Sequence, residues 1–272
     1  SYVSKKYPAF LPNLSSTKSP QQIFGALTKT YFAQQKGIDT KDICSISIMP
    51  CVSKKREAAL FSMRSSGVPD VDIVLTTREL ARLIKAEHIN IASLEPAEFD
   101  SPLGSSTGAA VIFGVTGGVM EAALRTVYFV LTGEEHEAIK FEAVRGFEGI
   151  REASLEINGM TVNVAIAHGM KNAKVLLDEI REGKSKYHFI EVMGCPGGCI
   201  AGGGQPIIRS CFLPNEDDDI LDTYKEKRAN ALYSEDERQT LRQSHKNPQV
   251  QKLYDDFLGK PNSHKAHELL HT

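Results

Sequence analysis

Cys195 and Cys199, separated by three residues, mark the part of this sequence best suited to chemistry. They lie in the run Met-Gly-Cys-Pro-Gly-Gly-Cys, directly after an apolar stretch typical of a strand, and more glycines follow at residues 202–204. Thiolates at this spacing can ligate one metal cluster, and the glycines allow backbone N–H groups to approach the sulfurs and tune the potential of the cluster. The plainer alternative is a glycine-rich turn with incidental cysteines. A zinc site is disfavoured, since no second Cys or His pair stands out.

Cys51 is a third candidate ligand, because it follows Met49 at the end of another strand-like run. Sites in open α/β folds gather at the carboxyl ends of strands. Taken alone, a cysteine after a strand is more often buried packing than a ligand. Lys54 and Lys55 begin the helix-like run that follows. A cation in the first turn of a helix is unfavourable because it opposes the helix dipole, so these lysines favour a functional role.

Strand-like and helix-like runs alternate along the chain and would position these residues. Strands are predicted at residues 43–48, 71–75, 139–144, 162–166 and 188–193, and helices at 20–37, 54–63, 77–86, 119–131 and 171–183. Such alternation is typical of an α/β fold with a largely parallel sheet. The polar residues from 228 onward read as short helices that wrap a core.

Composition excludes several classes of protein. The 272 residues include 32 basic and 34 acidic side chains, so a polycationic nucleic-acid binder is not expected. Five cysteines are too few for a secreted disulfide scaffold. No apolar run approaches the about 20 residues that a membrane span requires. The start of the chain lacks signal-peptide character, which predicts a cytoplasmic protein, or a periplasmic one if an export signal has been lost.

Several segments, in order, resemble the catalytic domain of [FeFe] hydrogenases. They lie at residues 19–21, 49–55, 113–123 and 195–206, and residues 264–272 resemble the end of the small-subunit segment of the same family. The resemblance implies two α/β lobes of mostly parallel sheet flanked by helices, with a cluster between them, and a helical C-terminal wrap. It divides the chain into an H-cluster domain at residues 1–227, truncated at its N-terminus, and a small-subunit-like helical segment at residues 228–272.

The resemblance also implies the cofactor of that family, the H-cluster. This is a [4Fe–4S] cubane bridged by a cysteine thiolate to a diiron unit that carries CO, cyanide and azadithiolate ligands. Cys51 and Cys195 match ligands of the cubane. Cys199 matches the cysteine that both holds the cubane and bridges to the diiron unit.

Further residues match the surroundings of the diiron unit. Lys54 matches a lysine that donates to a cyanide, a role for which a compact ammonium is well suited. The other matches are Met49 and Met193 as thioethers lining the pocket, Phe113 as an apolar wall, Gln21 as a pocket residue, and Ser15 as a hydroxyl of the proton relay.

The implied activity is that of an oxidoreductase that interconverts two protons and two electrons with H2. Its partner would be a redox protein such as ferredoxin or a cytochrome. Alternatives are an iron–sulfur protein without hydrogen turnover, as a sensor or an assembly relative, and an inactive fragment. The TSCCP motif of the family, which supplies the fourth cubane ligand and a proton-donating thiol, has no match here. We therefore expect these residues to be part of a longer polypeptide, whose remaining segment would be a partner.

The remaining candidate residues are expected to have structural roles. Cys44 and Cys211 are expected in the core, Glu57 on a helix surface, and the histidines at 264, 267 and 271 in packing rather than at a metal.

Overall fold

The computed structural model describes residues 2–134, 144–207 and 217–272, with side chains in the last range from residue 222 onward. The strand predicted at 139–144, apart from Val144, and Cys211 lie outside these ranges. Contacts divide the chain into two units, one formed by residues 1–105 with 248–272 and the other by residues 106–247.

The α-helices in these ranges, in chain order, are α1 (Tyr2–Lys6), α2 (Pro20–Leu27), α3 (Ala33–Lys36), α4 (Ser53–Ala58), α5 (Thr77–Ala86), α6 (Gly108–Val111), α7 (Gly118–Thr132), α8 (Met170–Arg181), α9 (Asp217–Arg238), α10 (Pro248–Leu253) and α11 (His264–Leu270). The strands are β1 (Ile46–Met49), β2 (Ile73–Thr76), β3 (Ile150–Ile157), β4 (Met160–His168) and β5 (Phe189–Met193). π-Helical turns lie at Thr28–Phe32 and Tyr254–Leu258, and the 3-10 turns include Ile112–Gly114 and Cys199–Ala201. None of the helices in the described ranges has the length and apolarity needed to cross a bilayer.

In the first unit, β1 and β2 form a parallel pair in which Ile46 faces Ile73 and Met49 faces Thr76. The helix predicted from Pro20 is confirmed as α2, a π turn and α3, and it ends at Gly37, whose φ of 64° is left-handed. The helix predicted at 54–63 is shorter, because α4 ends at Ala58.

The core of the first unit joins both ends of the chain. Leu27 of α2 packs with Leu258 and with Leu269 and Leu270 of α11. Backbone hydrogen bonds from Lys18 N–H to Leu270 O and from Thr272 N–H to Ser16 O add to this contact. The last residues of the chain therefore pack against the segment that precedes α2.

In the second unit, β4 lies between β3, which is antiparallel to it, and β5, which is parallel. The α/β class is confirmed, and two of the three strand pairs are parallel. Strand β3 was not predicted, because polar residues interrupt it. The Asn158-Gly159 turn, with φ of 50° and 74°, is the hairpin signal that indicates it. Helix α9 extends through the boundary expected at 227/228, and a single long helix replaces the short ones expected at its start.

Candidate metal-cluster site

The second unit carries a short loop with two cysteines directly after β5, as predicted. Met193 ends the strand, and Cys195 and Cys199 are both partly exposed. The Gly198 N–H donates to Cys195 O at 3.0 Å, and the Gly202 N–H donates to Cys199 O at 2.9 Å. These bonds close two tight turns, one after the other, so that both thiols are presented from one compact loop.

Gly198 cannot be replaced in this loop without a local rearrangement. Its φ is +97°, and a Cβ atom there would lie 2.6 Å from Thr116 N and 2.9 Å from Gly114 O. The backbone of the loop therefore packs directly on the segment before α7. The need for this close approach explains part of the glycine density seen in the sequence.

The glycine N–H groups of the loop do not have the partners that were expected. The Gly197 N–H donates to Nδ1 of His168 at 3.0 Å, and the Gly198 N–H is used by Cys195 O. The prediction that the glycines point N–H groups at sulfur is therefore wrong at these two positions.

Glu191 is a buried carboxylate that the sequence analysis missed. It lies within β5, and its oxygens accept the N–H of Gly117 at 2.6 Å and of Met120 at 2.7 Å, at the start of α7. Burial raises the pKa of Glu191, while these N–H bonds act in the opposite direction. An acidic residue inside an apolar strand was the signal that could have found it. Phe113, which precedes Gly117 in the chain, is partly exposed in the Ile112–Gly114 turn.

In the first unit, the candidate residues follow β1. Met49 ends the strand, Cys51 is a free and partly exposed thiol, and Lys54 lies in the first turn of α4. The expected order of strand end, thiol and cation is confirmed here. Cys51 belongs to the first unit, whereas Cys195 and Cys199 belong to the second.

Glu57 is the centre of a hydrogen-bond cluster in this unit. Its Oε2 accepts Nζ of Lys54 at 2.8 Å, Oγ of Ser19 at 2.8 Å and Nε2 of Gln21 at 2.9 Å. Ser47 on β1 donates to Oε1 of Gln21 at 2.7 Å. Glu57 is therefore not the plain surface residue that was expected. Ser19 serves this cluster and does not cap α2 with its side chain.

Four other predicted residues have outcomes of their own. Ser15 is exposed, and its Oγ accepts the Thr17 N–H at 3.3 Å; no hydrogen bond in the described part of the chain joins it to Glu57. Cys44 is exposed, so its assignment to the core is wrong, because β1 begins two residues later and leaves it outside the strand. His267 and His271 stack at 4.2 Å, which agrees with a packing role.

The thiols of each unit have the chemistry of iron–sulfur ligands. None of the described cysteines forms a disulfide, and three of them, Cys51, Cys195 and Cys199, are partly exposed just after strand ends. Soft thiolate ligands suit iron–sulfur chemistry better than a hard cation. Within the described residues, no group of three or more His, Cys, Asp and Glu side chains is found that could hold a metal ion.

Comparison with known proteins gives matches along the whole chain. Residues 1–203 match the family model described as iron only hydrogenase large subunit, C-terminal domain, and residues 222–272 match iron hydrogenase small subunit. The NADP-reducing hydrogenase subunit HndD of Solidesulfovibrio fructosivorans is 48% identical over 100% of this chain and 44% of its own length. The cytosolic Fe-S cluster assembly factor narfl of Xenopus tropicalis is 32% identical over 100% of this chain and 56% of its own length.

The fold is also shared with solved structures. An apo [FeFe]-hydrogenase HydA1 variant from Chlamydomonas reinhardtii superposes with a TM-score of 0.81 at 40% identity, covering 99% of this chain and 72% of that one. The chain spans 44% and 56% of the lengths of the two curated relatives reported above, which is less than two thirds in both cases. Because the family model covers residues 1–203, well over half of the chain, the chain belongs to the family of the iron only hydrogenase large subunit, C-terminal domain.

Proposed function

We propose that this chain forms the H-cluster-binding part of an [FeFe] hydrogenase that interconverts two protons and two electrons with H2. The observation that carries the proposal is the loop of Cys195 and Cys199, which glycine holds against the start of α7. A loop constrained in this way keeps two soft ligands in a fixed relation, as a cluster requires. The 48% identity to a hydrogenase subunit over the full chain supports the same function.

Three cysteines would hold the cofactor. Cys51 and Cys195 would ligate the cubane, and Cys199 would ligate it and bridge to the diiron unit. When bound, the H-cluster supplies the metal chemistry that forms and cleaves H2, and the protein supplies binding, orientation and electrostatics.

Lys54 would be the cation that faces a cyanide ligand. One of its N–H donors is used by Glu57 at 2.8 Å, which restrains the ammonium and leaves other donors for the cofactor. The side chain is 26% exposed, so most of it is withdrawn from water, where a positive charge acts more strongly on an anionic ligand.

The remaining matched residues would complete the pocket. Met49 and Met193 would line it with thioethers and Phe113 with an apolar ring, which would keep water away. Gln21 would be held in place by Ser47 and Glu57. Ser15 would relay protons, since a hydroxyl can accept one proton and donate another. The substrates would be H2 and protons, and the electron partner a redox protein such as ferredoxin or a cytochrome.

The second candidate function is an iron–sulfur role without hydrogen turnover. The match to an Fe-S cluster assembly factor over 100% of this chain favours it. Three thiolates can hold a cubane without a diiron unit. The pair of Lys54 and Glu57 favours the hydrogenase, because a simple cubane has no need of a restrained cation beside it.

Anaerobic expression of the longer polypeptide of which this chain is expected to be a part, together with hydrogenase maturation proteins, tests the proposal; this polypeptide is the parent. We expect bound iron and H2 evolution from a reduced dye in the parent. Lys54→Met should keep the cubane but lower turnover about a hundredfold, the typical effect of removing one preorganised donor. Lys55→Met is the matched control, because Lys55 pairs with Glu79 and should keep nearly full turnover. Bound iron without any turnover in the parent would favour the second candidate.

A further inference from the structure

His168 is a buried imidazole that none of the roles proposed above uses. It ends β4, opposite Met193 at the end of β5, and is 8% exposed. Its Nδ1 accepts the Gly197 N–H at 3.0 Å. Gly197 lies between the two cysteines of the loop, so this bond reaches the middle of the segment that carries both thiols.

The other side of the ring fixes its orientation. Nε2 lies 3.0 Å from Phe147 O and 3.1 Å from Glu148 O, and both are acceptors. Because Nδ1 accepts, the proton of the neutral ring is on Nε2 and is donated to these carbonyls. The ring therefore connects the 147–148 segment to the cysteine loop, and each of its nitrogens has a defined role.

The loop depends on this acceptor. The Gly197 peptide is also held from its other side, because the Thr116 N–H donates to Gly197 O at 3.2 Å. Gly197 is buried and has a φ of +83°. A buried N–H that loses its acceptor drives the backbone towards another conformation, since unpaired buried N–H groups are rare in native structures.

We propose that His168 is a positioning residue for the cluster: through the bond from Gly197 N–H to Nδ1, it sets the backbone conformation in which Cys195 and Cys199 are presented. The contact between His168 and Gly197 is present in the structure. Its effect on a cluster rests on the proposed function.

Two substitutions separate the two sides of the ring. Asparagine places its side-chain oxygen near the position of Nδ1, and glutamine places its amide near the position of Nε2. His168→Asn should therefore keep the bond to Gly197, and His168→Gln should keep only the bonds to Phe147 and Glu148. His188→Ala is the matched control, because Nδ1 of His188 accepts a backbone N–H, that of Asn163, at 3.0 Å near the opposite end of β5.

The first readout is amide hydrogen exchange in the cluster-free full chain, followed on peptides that cover residues 194–200. In His168→Gln the exchange should be about tenfold faster than in the parent, because the local opening becomes easier. In His168→Asn it should stay within about threefold of the parent, and His188→Ala should leave these peptides unchanged. Equal exchange in the Asn and Gln variants, or no change in either, would overturn the proposal.

The second readout is cubane content after anaerobic reconstitution, together with its electron paramagnetic resonance spectrum in the reduced form. Content should fall by at least about half in His168→Gln and be retained in His168→Asn, since supporting residues commonly affect metal binding strongly. If the parent binds no cubane, the proposed function fails while the exchange result still decides the role of His168. If hydrogen exchange differs between His168→Gln and His168→Asn as expected but their cubane content is equal, the proposed effect of His168 on the cluster is overturned.

Discussion

At the scale of single residues, one oxygen of Glu57 accepts hydrogen bonds from three donors, two at the start of α2 and one in its own helix α4. Ser19 precedes α2, Gln21 lies within it, and Lys54 opens α4. The Glu57 side chain is 24% exposed, so the contacts are only partly screened by water. Glu57 thereby ties the cation proposed to face the cofactor to the helix that carries Gln21.

Glu57→Gln is the change that tests this role. The amide oxygen can still accept a hydrogen bond, but the charge that restrains Lys54 is removed. We expect the free energy of unfolding to fall by about 1 kcal/mol, because a partly exposed ion pair contributes little. H2 turnover should fall by about tenfold, since Lys54 loses its fixed orientation. Chemical denaturation and dye-linked H2 evolution measure the two effects.

The control for this change is Glu98→Gln, in which an exposed carboxylate of a loop is replaced. It should change neither the free energy of unfolding nor H2 turnover. A Glu57→Gln variant that loses stability but keeps full turnover would show that Glu57 only supports the fold.

Residue types and spacing made Cys51, Cys195 and Cys199 candidate ligands and drew attention to Lys54 at a helix start, whereas the roles of Met49 and Met193 rest on the family resemblance. The roles of Glu57, His168 and Glu191 could not be predicted in this way. Their partners lie 20 to 74 residues away in the chain, apart from Lys54 beside Glu57, and only the fold brings them together.

At the scale of elements, the cysteine loop after β5 depends on glycine for two separate reasons. Gly198 has a left-handed φ of +97°, and Thr116 N leaves no room for a Cβ atom. The glycine-rich pattern was visible in the sequence. The segment against which the loop packs, residues 114–116, was not, because it lies far upstream.

Gly198→Ala should therefore lower the free energy of unfolding much more than the same substitution at a glycine with open space around it. The left-handed φ costs about 1–2 kcal/mol, and overpacking adds about 1–3 kcal/mol. Gly183→Ala is the matched control: its φ is +69° and nothing lies within 4 Å of the added Cβ, so only the first cost applies. Denaturation in urea measures both variants, and equal losses of stability would contradict the packing described for the loop.

Helix α5 begins with a capping box. The Thr76 N–H donates to Glu79, and the Glu79 N–H donates to the Thr76 hydroxyl. The hydrogen bond from the Thr76 backbone, with Lys55 as a second donor, lowers the pKa of Glu79 from 4.5 to about 2. Since the folded pKa is depressed, the stabilisation by this carboxylate is complete above about pH 4.5 and is lost as the pH falls towards 2.

Glu79→Gln tests this pH dependence. The parent should melt at a higher temperature than Glu79→Gln at neutral pH, and the difference should shrink between pH 4.5 and 2. Thermal unfolding followed by circular dichroism at a series of pH values measures it. A difference that does not change with pH would contradict the role of the charge.

At the scale of the whole molecule, the hydrophobic periodicity and helix caps of the sequence predicted the α/β class and most helices and strands. They did not predict the division into the two units. The Thr272 N–H donates to Ser16 O across 256 residues, and α11 packs on α2. Local sequence carries no signal for such a return of the chain, because the amphipathic pattern of α11 fits any apolar surface.

The second unit contains another long-range feature of this kind. Arg125 of α7 donates to both carboxylate oxygens of Asp236 on α9, at 2.9 and 2.7 Å, and Arg242 donates to the same group. Burial alone would raise the pKa of Asp236, but hydrogen bonds from the two arginines hold it below its ordinary value. Each of these residues looks like an ordinary surface charge in the sequence, so the link between the two helices emerges only in the fold.

The central claim is that Cys199 binds and bridges the diiron unit of an H-cluster. The most direct measurement is the infrared spectrum of the parent, the longer polypeptide that contains this chain, after anaerobic maturation, in the region where CO and cyanide bound to iron absorb. The parent and Cys44→Ser, which changes an exposed cysteine outside the site, should both show these bands. Cys199→Ser should lose them while its circular dichroism stays that of a folded protein. Bands of parental intensity in Cys199→Ser would contradict the account.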